Sequence, residues 1–132
     1  MAETTFKDKD LGDHVNRTYV SVSVPLDGPN PVAKQFGVES IPIPSEAKYY
    51  SGTEAPSIKP VAVTTQSQYY ASAIRLAYCE PTVAGFEIFL FEDEHPLAGW
   101  QSGLYYANAK PKPSLGTVKW AAARTRGSGF AC

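Results

Sequence analysis

The sequence predicts an α/β fold in the order strand, helix, strand, helix, with an added β segment at the N-terminus. Three observations carry this expectation. Residues 65–79 place Tyr70, Ala73, Ile74, Ala77 and Tyr78 at helical spacing. After Pro81, residues 83–91 form an apolar run broken only by Glu87, the composition of a strand buried on both faces. Residues 18–24 alternate β-branched and polar side chains, a strand with one polar face. Helix, short turn and buried strand make half of a βαβ unit.

In chain order, residues 1–17 carry the mixed charge run Lys7-Asp8-Lys9-Asp10 without periodicity and are expected to form a flexible N-terminal segment. The strand 18–24 opens a single domain spanning 18–124, and the turn-rich stretch 25–31 follows it. Residues 32–38 read as a short buried strand ended by Gly37. Pro42 and Pro44 keep 41–44 from being a central strand, because proline has no N–H to give to a ladder. Residues 45–63 read as a long loop or a single helical turn. Thr64 or Thr65 is the expected cap of the first helix, with Gln68 three residues after Thr65 as in a capping box. Beyond the apolar run come the acids Glu92-Asp93-Glu94, then Trp100-Gln101-Ser102-Gly103, then the stiff spacer Lys110-Pro111-Lys112-Pro113. Ser114 is the expected cap of a last helix over 115–124, weakened by Gly116, and 125–132 reads as a frayed tail.

The chain has 132 residues, the size of one domain, with 43% apolar and 19% charged residues. Twelve basic and thirteen acidic side chains leave a net charge of −1, which gives no electrostatic footprint for nucleic acid or an anionic membrane. No apolar run is long enough to span a bilayer, and no secretory signal is visible, so the chain as written is expected in the cytoplasm. Two cysteines, Cys79 and Cys132, leave two readings open: a buried thiol beside a frayed terminal one, or a single disulfide tying the C-terminus to the helix end.

Few residue patterns carry chemistry. His14 and His95 lie far apart in unlike contexts, so no metal site is expected, and no phosphate loop or nucleophile elbow calls for a cofactor. Glu92, Asp93 and Glu94 follow the apolar run, where α/β folds place ligands. Their bland reading is a solvated loop in which Asp93 or Glu94 holds the loop or a helix N-terminus. Glu87 is paired with a cation, faces a ligand, or lies on an exposed edge. Trp100 beside Gln101 offers an indole face and an amide, which suit a sugar ring; the alternative is an indole anchoring its loop.

Several of these segments, taken together, resemble a known family. Phe36-Gly37-Val38-Glu39, Tyr50-Ser51-Gly52-Thr53-Glu54, the helix from Gln68-Tyr69-Tyr70 to Cys79, Phe89-Leu90-Phe91-Glu92-Asp93-Glu94, Gly99-Trp100-Gln101-Ser102-Gly103 and Lys112-Pro113-Ser114-Leu115 occur in one order. That order resembles the C-terminal part of bacterial cellulase-like (β/α)8-barrel glycoside hydrolases of the large retaining superfamily. The resemblance covers residues 32–120 and is most specific at Trp100-Gln101-Ser102-Gly103. It implies that 32–37 is the seventh strand, 65–79 the seventh helix, 83–91 the eighth strand and 114–124 the eighth helix. The implied fold is therefore a partial (β/α)-barrel-like unit, since a complete barrel takes about 250 residues.

The implied activity is hydrolysis of O-glycosidic bonds in polysaccharides, for which two carboxylates are needed. The family's nucleophile is the Glu before the Phe-Gly pair, where this chain has Gln35, and its acid/base Glu comes from a fourth strand that this chain lacks. Glu39 lies four positions on. The expectation is a catalytically incomplete chain with no catalytic residues of its own, whose residual glycan-contacting surface uses Gln35, Trp100 and Gln101. Exposed sheet edges are expected to drive self-association, to pair with another chain, or to be covered by residues 18–24. The alternative is a non-catalytic binding or interaction module.

Overall fold

A computed structural model describes the backbone of residues 2–6 and 19–23, and residues 39–132 apart from 82, 84 and 89. Strand β1 (Ala2–Phe6) pairs antiparallel with β2 (Tyr19–Ser23), Ala2 opposite Ser23 and Phe6 opposite Tyr19. The alternating segment thus forms its strand, and its partner comes from a stretch that carried no strand expectation. The predicted strand over 32–38 lies outside the described residues, and so does Gln35.

Strand β3 (Ser40–Ile41) pairs in parallel with β4 (Val61–Ala62). Two prolines end β3 after Ile41, for want of ladder donors. The chain then folds back on the Ile43 carbonyl, which accepts from Glu46 and Ala47 N–H, into a single 3-10 turn at Ala47–Tyr49. This is the helical turn read in the 45–63 stretch. A parallel two-stranded sheet with two helices is an α/β arrangement, and no barrel is present among the described residues.

Helix α1 (Val63–Cys79) starts earlier than the capping pattern predicts. Strand β4 runs straight into it, so extended Ala62 is the cap residue and neither threonine caps the helix. Val63, Gln66, Ser67, Tyr70 and Ile74 are its buried residues. The inward stripe is therefore polar at its N-terminal half and apolar beyond. Helix α2 (Pro113–Arg126) also exceeds its predicted span. Pro113 takes the first helical position, where its missing N–H costs nothing. Lys112 is the cap residue, and the expected cap, Ser114, is instead fully buried. The helices pack together over Ala121, which has no exposed surface, with a 2.6 Å hydrogen bond between the Ser67 and Thr117 hydroxyls.

Two expectations are corrected. Residues 83–91 do not form a buried strand. Val83, Phe86 and Phe91 are exposed, and the segment runs along both helices, leaving an apolar groove of about 340 Å³ lined by Ile74, Phe86, Ile88 and Val118. A strand needs a neighbour to share its ladder, and none pairs with 83–90 among the described residues. Glu87 is exposed, the third of its three readings.

The C-terminal tail is also not frayed. Cys79 and Cys132 form a disulfide across a sequence separation of 53, which stabilises the chain by about 4 kcal/mol in the loop-closure account. Phe130 packs edge-on against Tyr78 at 5.6 Å and Trp120 at 6.0 Å. Gly129 makes the turn possible. Its φ is +71°, and a Cβ there would lie 2.5 Å from the Tyr78 hydroxyl oxygen.

Candidate functional site: a polar core behind a tryptophan loop

The largest fully buried side chains are Gln66, Gln101 and Ser114, and Glu39, Ser40, Asp93, Ser102 and Lys112 are buried around them. The centre of the molecule is therefore polar, and such a centre must be hydrogen-bonded to persist. Asp93 and Lys112 form its ion pair at 2.6 Å, with side chains 1% and 0% exposed. Lys112 sits at the start of α2, where the helix dipole disfavours a cation, so the carboxylate offsets both burial and dipole. Its ammonium also donates to the Ser40 hydroxyl at 3.0 Å and to the Gln101 carbonyl at 3.0 Å, which uses all three of its protons. Asp93 Oδ1 also accepts the Gly103 N–H at 2.9 Å, and Oδ2 accepts the Tyr50 hydroxyl at 2.7 Å.

Burial sets the titration of this cluster. It pushes the Asp93 carboxyl up and the Lys112 ammonium down, against their mutual attraction and the hydrogen bonds from Tyr50 and Gly103. Burial and then the Asp93 carboxylate raise Tyr50, and burial with the Glu39 and Asp93 charges raises Tyr70, so both phenols stay neutral donors. Tyr50 donates to Asp93, and Tyr70 to the Ser102 carbonyl.

This core holds a surface loop. The Gln101 N–H donates to Glu39 Oε2 at 2.6 Å, and its carbonyl accepts from Ser40, Gln66 and Lys112. Its side-chain amide donates to the Pro96 carbonyl at 2.8 Å and the Glu94 carbonyl at 3.3 Å. Glu94 closes the loop at the other side: its N–H donates to the Trp100 carbonyl at 2.9 Å, and its carboxylate accepts the Trp100 N–H at 2.8 Å. Residues 95–97 dock on the 49–51 segment, with His95 Nδ1 2.9 Å from the Tyr49 carbonyl. A carbonyl only accepts, so Nδ1 carries the proton.

Trp100 is half-buried on this loop, with Glu92, Glu94 and His95 exposed nearby in sequence. Gln101 is 1% exposed, so the amide expected to meet a sugar is instead internal to the loop. The structural reading of the acids holds for two of the three: Asp93 anchors the loop to the core, and Glu94 ties it to Trp100. Lys112, Tyr50 and Gln66 carry this site, and the sequence assigns none of them a site role: Lys112 reads as part of a spacer, and Tyr50 and Lys112 enter only as residues of the resemblance. A signal existed: a lysine held between two prolines directly before a helix cannot move away from the helix N-terminus and needs an acid.

Among the described residues no group of three His, Cys, Asp or Glu side chains is placed to hold a metal ion. No helix among them is long and apolar enough to cross a membrane. No family model matches the chain, and no curated protein or solved structure matches it.

Proposed function

We propose that this chain is a glycoside-hydrolase-like unit that contacts glycan through the Trp100 loop without cleaving it. The observation that carries this reading is the commitment of the buried carboxylates. Asp93 takes bonds from Lys112, Tyr50 and Gly103, and Glu39 from the Gln101 N–H, so both act as anchors of the loop. A nucleophile or proton donor has to reach a substrate atom, and these groups hold the frame instead. Gln35, at the family's nucleophile position, is an amide and cannot attack an anomeric carbon. The frame leaves a half-buried indole at the surface on a loop bonded along its length, a pre-organised platform for the C–H face of a sugar. The disulfide suits an oxidising compartment better than the cytoplasm expected from the sequence.

The test is titration of soluble β-glucan oligosaccharides into the chain by calorimetry, beside turnover of an activated aryl glycoside. Saturable heat without turnover, lost in Trp100→Ala, supports the reading. Turnover removed by Glu39→Gln overturns its non-catalytic part, and unchanged affinity in Trp100→Ala removes the platform.

A second reading is an interaction module, favoured by exposed Val83 and Phe86, in a segment (83–90) without a ladder partner among the described residues, and by exposed Phe91 at its end. Self-association through this segment gives a sedimentation coefficient that rises with concentration. A concentration-independent monomer excludes it.

A further inference from the structure

We infer that the face made by α1, α2 and the C-terminal tail is a second ligand site, built for a carboxylate-bearing sugar such as a uronate unit. This inference does not rest on the Trp100 loop. The site is an open concavity of about 470 Å³ bordered by Ser72 and Arg75 of α1, Trp120 and Arg124 of α2, and Phe130 and Ala131 of the tail.

Two arginines, Arg75 and Arg124, border the site, and no acid among the described residues does. Arg75 donates one hydrogen bond, from Nη2 to the Ala131 carbonyl at 3.0 Å. Arg124 lies over the Trp120 ring and the Phe130 ring, 5.2 Å from each centroid. Its Nε is buried and has no hydrogen-bond partner. Neither arginine has a carboxylate partner among the described residues. The buried Nε is out of a ligand's reach, but a guanidinium stacked on two rings and lacking an acid presents its Nη groups to the concavity, where they match the two oxygens of a carboxylate. Trp120 keeps 54% of its surface exposed beside these charges. An indole with adjacent cations suits a ring that has one C–H face and one anionic substituent.

The wall of the site depends on the disulfide. Phe130 and Ala131 border it next to Cys132, which is bonded to Cys79. Reduction leaves the wall only its contacts to Tyr78, Trp120, Arg124 and Arg75, so affinity is expected to fall in the reduced chain.

The experiment titrates trigalacturonate into the whole oxidised chain by calorimetry, with neutral maltotriose and inorganic phosphate as comparison ligands. Saturable one-to-one binding is expected for the acidic sugar, at least ten-fold tighter than for either comparison. Arg75→Gln and Arg124→Gln are each expected to weaken it about ten-fold or more, the loss of a charge-assisted bond. Arg75→Lys restores only part, since a lysine cannot present a fork. Arg75 is exposed, so Arg75→Gln keeps the test valid if Arg124→Gln disturbs the tail, and far-UV circular dichroism confirms its fold. Reduction of the disulfide is expected to lower affinity as well. Absence of saturable binding, equal binding of maltotriose, phosphate binding as tight as the acidic sugar, or full affinity in Arg75→Gln each overturns the assignment. Full affinity after reduction overturns the role of the tail.

Discussion

Lys112→Met is the most direct test of the polar core. The substitution keeps an unbranched apolar stem, one atom shorter, and removes the ammonium. Asp93 then remains 1% exposed with its Tyr50 and Gly103 donors but no opposite charge. Ser40 and the Gln101 carbonyl lose a donor each. Breaking a buried pair from one side costs about 3–5 kcal/mol. That is roughly two to four orders of magnitude in the folding equilibrium, and about 10–20 °C in Tm for a chain of this length. Urea denaturation at several pH values gives the energy and a second signature. Burial raises Asp93 even with Lys112 present, and without it the folded-state pKa rises further above the unfolded value. The folded variant then holds a proton that the unfolded chain releases, so its stability increases as the pH falls toward the ordinary carboxylate range. The double variant Asp93→Leu/Lys112→Met is expected to recover only the part of the loss that comes from the unpaired charge, because the Gly103 N–H and the Tyr50 hydroxyl then lose their acceptor. A loss below about 1 kcal/mol, the range of exposed pairs, refutes the reasoning, as does a single variant that loses stability as the pH falls from neutral to 4.5, above the range in which Glu46 takes up its proton.

Two further outcomes follow from the same loops. Gly103→Ala places a Cβ 2.7 Å from the Asp93 backbone nitrogen and 2.8 Å from Asp93 Oδ1, so it is expected to cost about 1–3 kcal/mol in urea denaturation. Gly99→Ala meets only the flexible Glu94 side chain and is expected to cost less; equal costs would refute the close approach. Burial raises Glu46, but bonds from Lys110 at 3.1 Å and Asn108 at 2.5 Å outweigh it and hold its pKa below the usual 4.5. A depressed carboxylate contributes stability above its unfolded pKa and loses it as the pH falls through the folded value. Stability is expected to decline below pH 4.5, with a smaller decline in Glu46→Gln, and equal acid slopes in both chains refute the contribution.

What the sequence discloses here depends on whether a feature is local. The first helix is legible because Tyr70 and Ile74 repeat at helical spacing, and the 3-10 turn because prolines bracket a short polar stretch. The start of the helix is not, because Ala62 serves two elements and no capping motif marks that junction. Residues 83–91 have the composition of a buried strand, but composition reports what a segment tolerates and not whether a neighbour pairs with it. Cys79 and Cys132 are far apart in sequence, and only the fold brings their Cα atoms to 5.5 Å. At the site, adjacency misled the reading of Gln101. Trp100 is half-buried while residues 101–104 are buried one after another, so neighbours in sequence do not share an environment.

The step from half-buried Trp100 to buried Gln101 explains why a polar core and a surface indole belong together. Asp93 and Gln101 are the two inward residues that bracket the loop, and each is bonded on both backbone and side chain. A leucine at either position would bury apolar area but leave the loop's amides and carbonyls without partners, a penalty of about 1–3 kcal/mol for each buried group. An apolar core therefore cannot hold this loop in one shape, whereas directional bonds with Lys112, Glu39, Gln66 and Tyr70 can. Lys112 and Gln66 donate to the Gln101 carbonyl, Tyr70 donates to the Ser102 carbonyl, and Glu39 accepts the Gln101 N–H, so the frame grips the chain immediately after Trp100, at the residues that fix where the indole sits. A ligand meeting Trp100 then finds its loop already ordered, and affinity lost in Lys112→Met without any contact between Lys112 and the ligand is the mark of that arrangement.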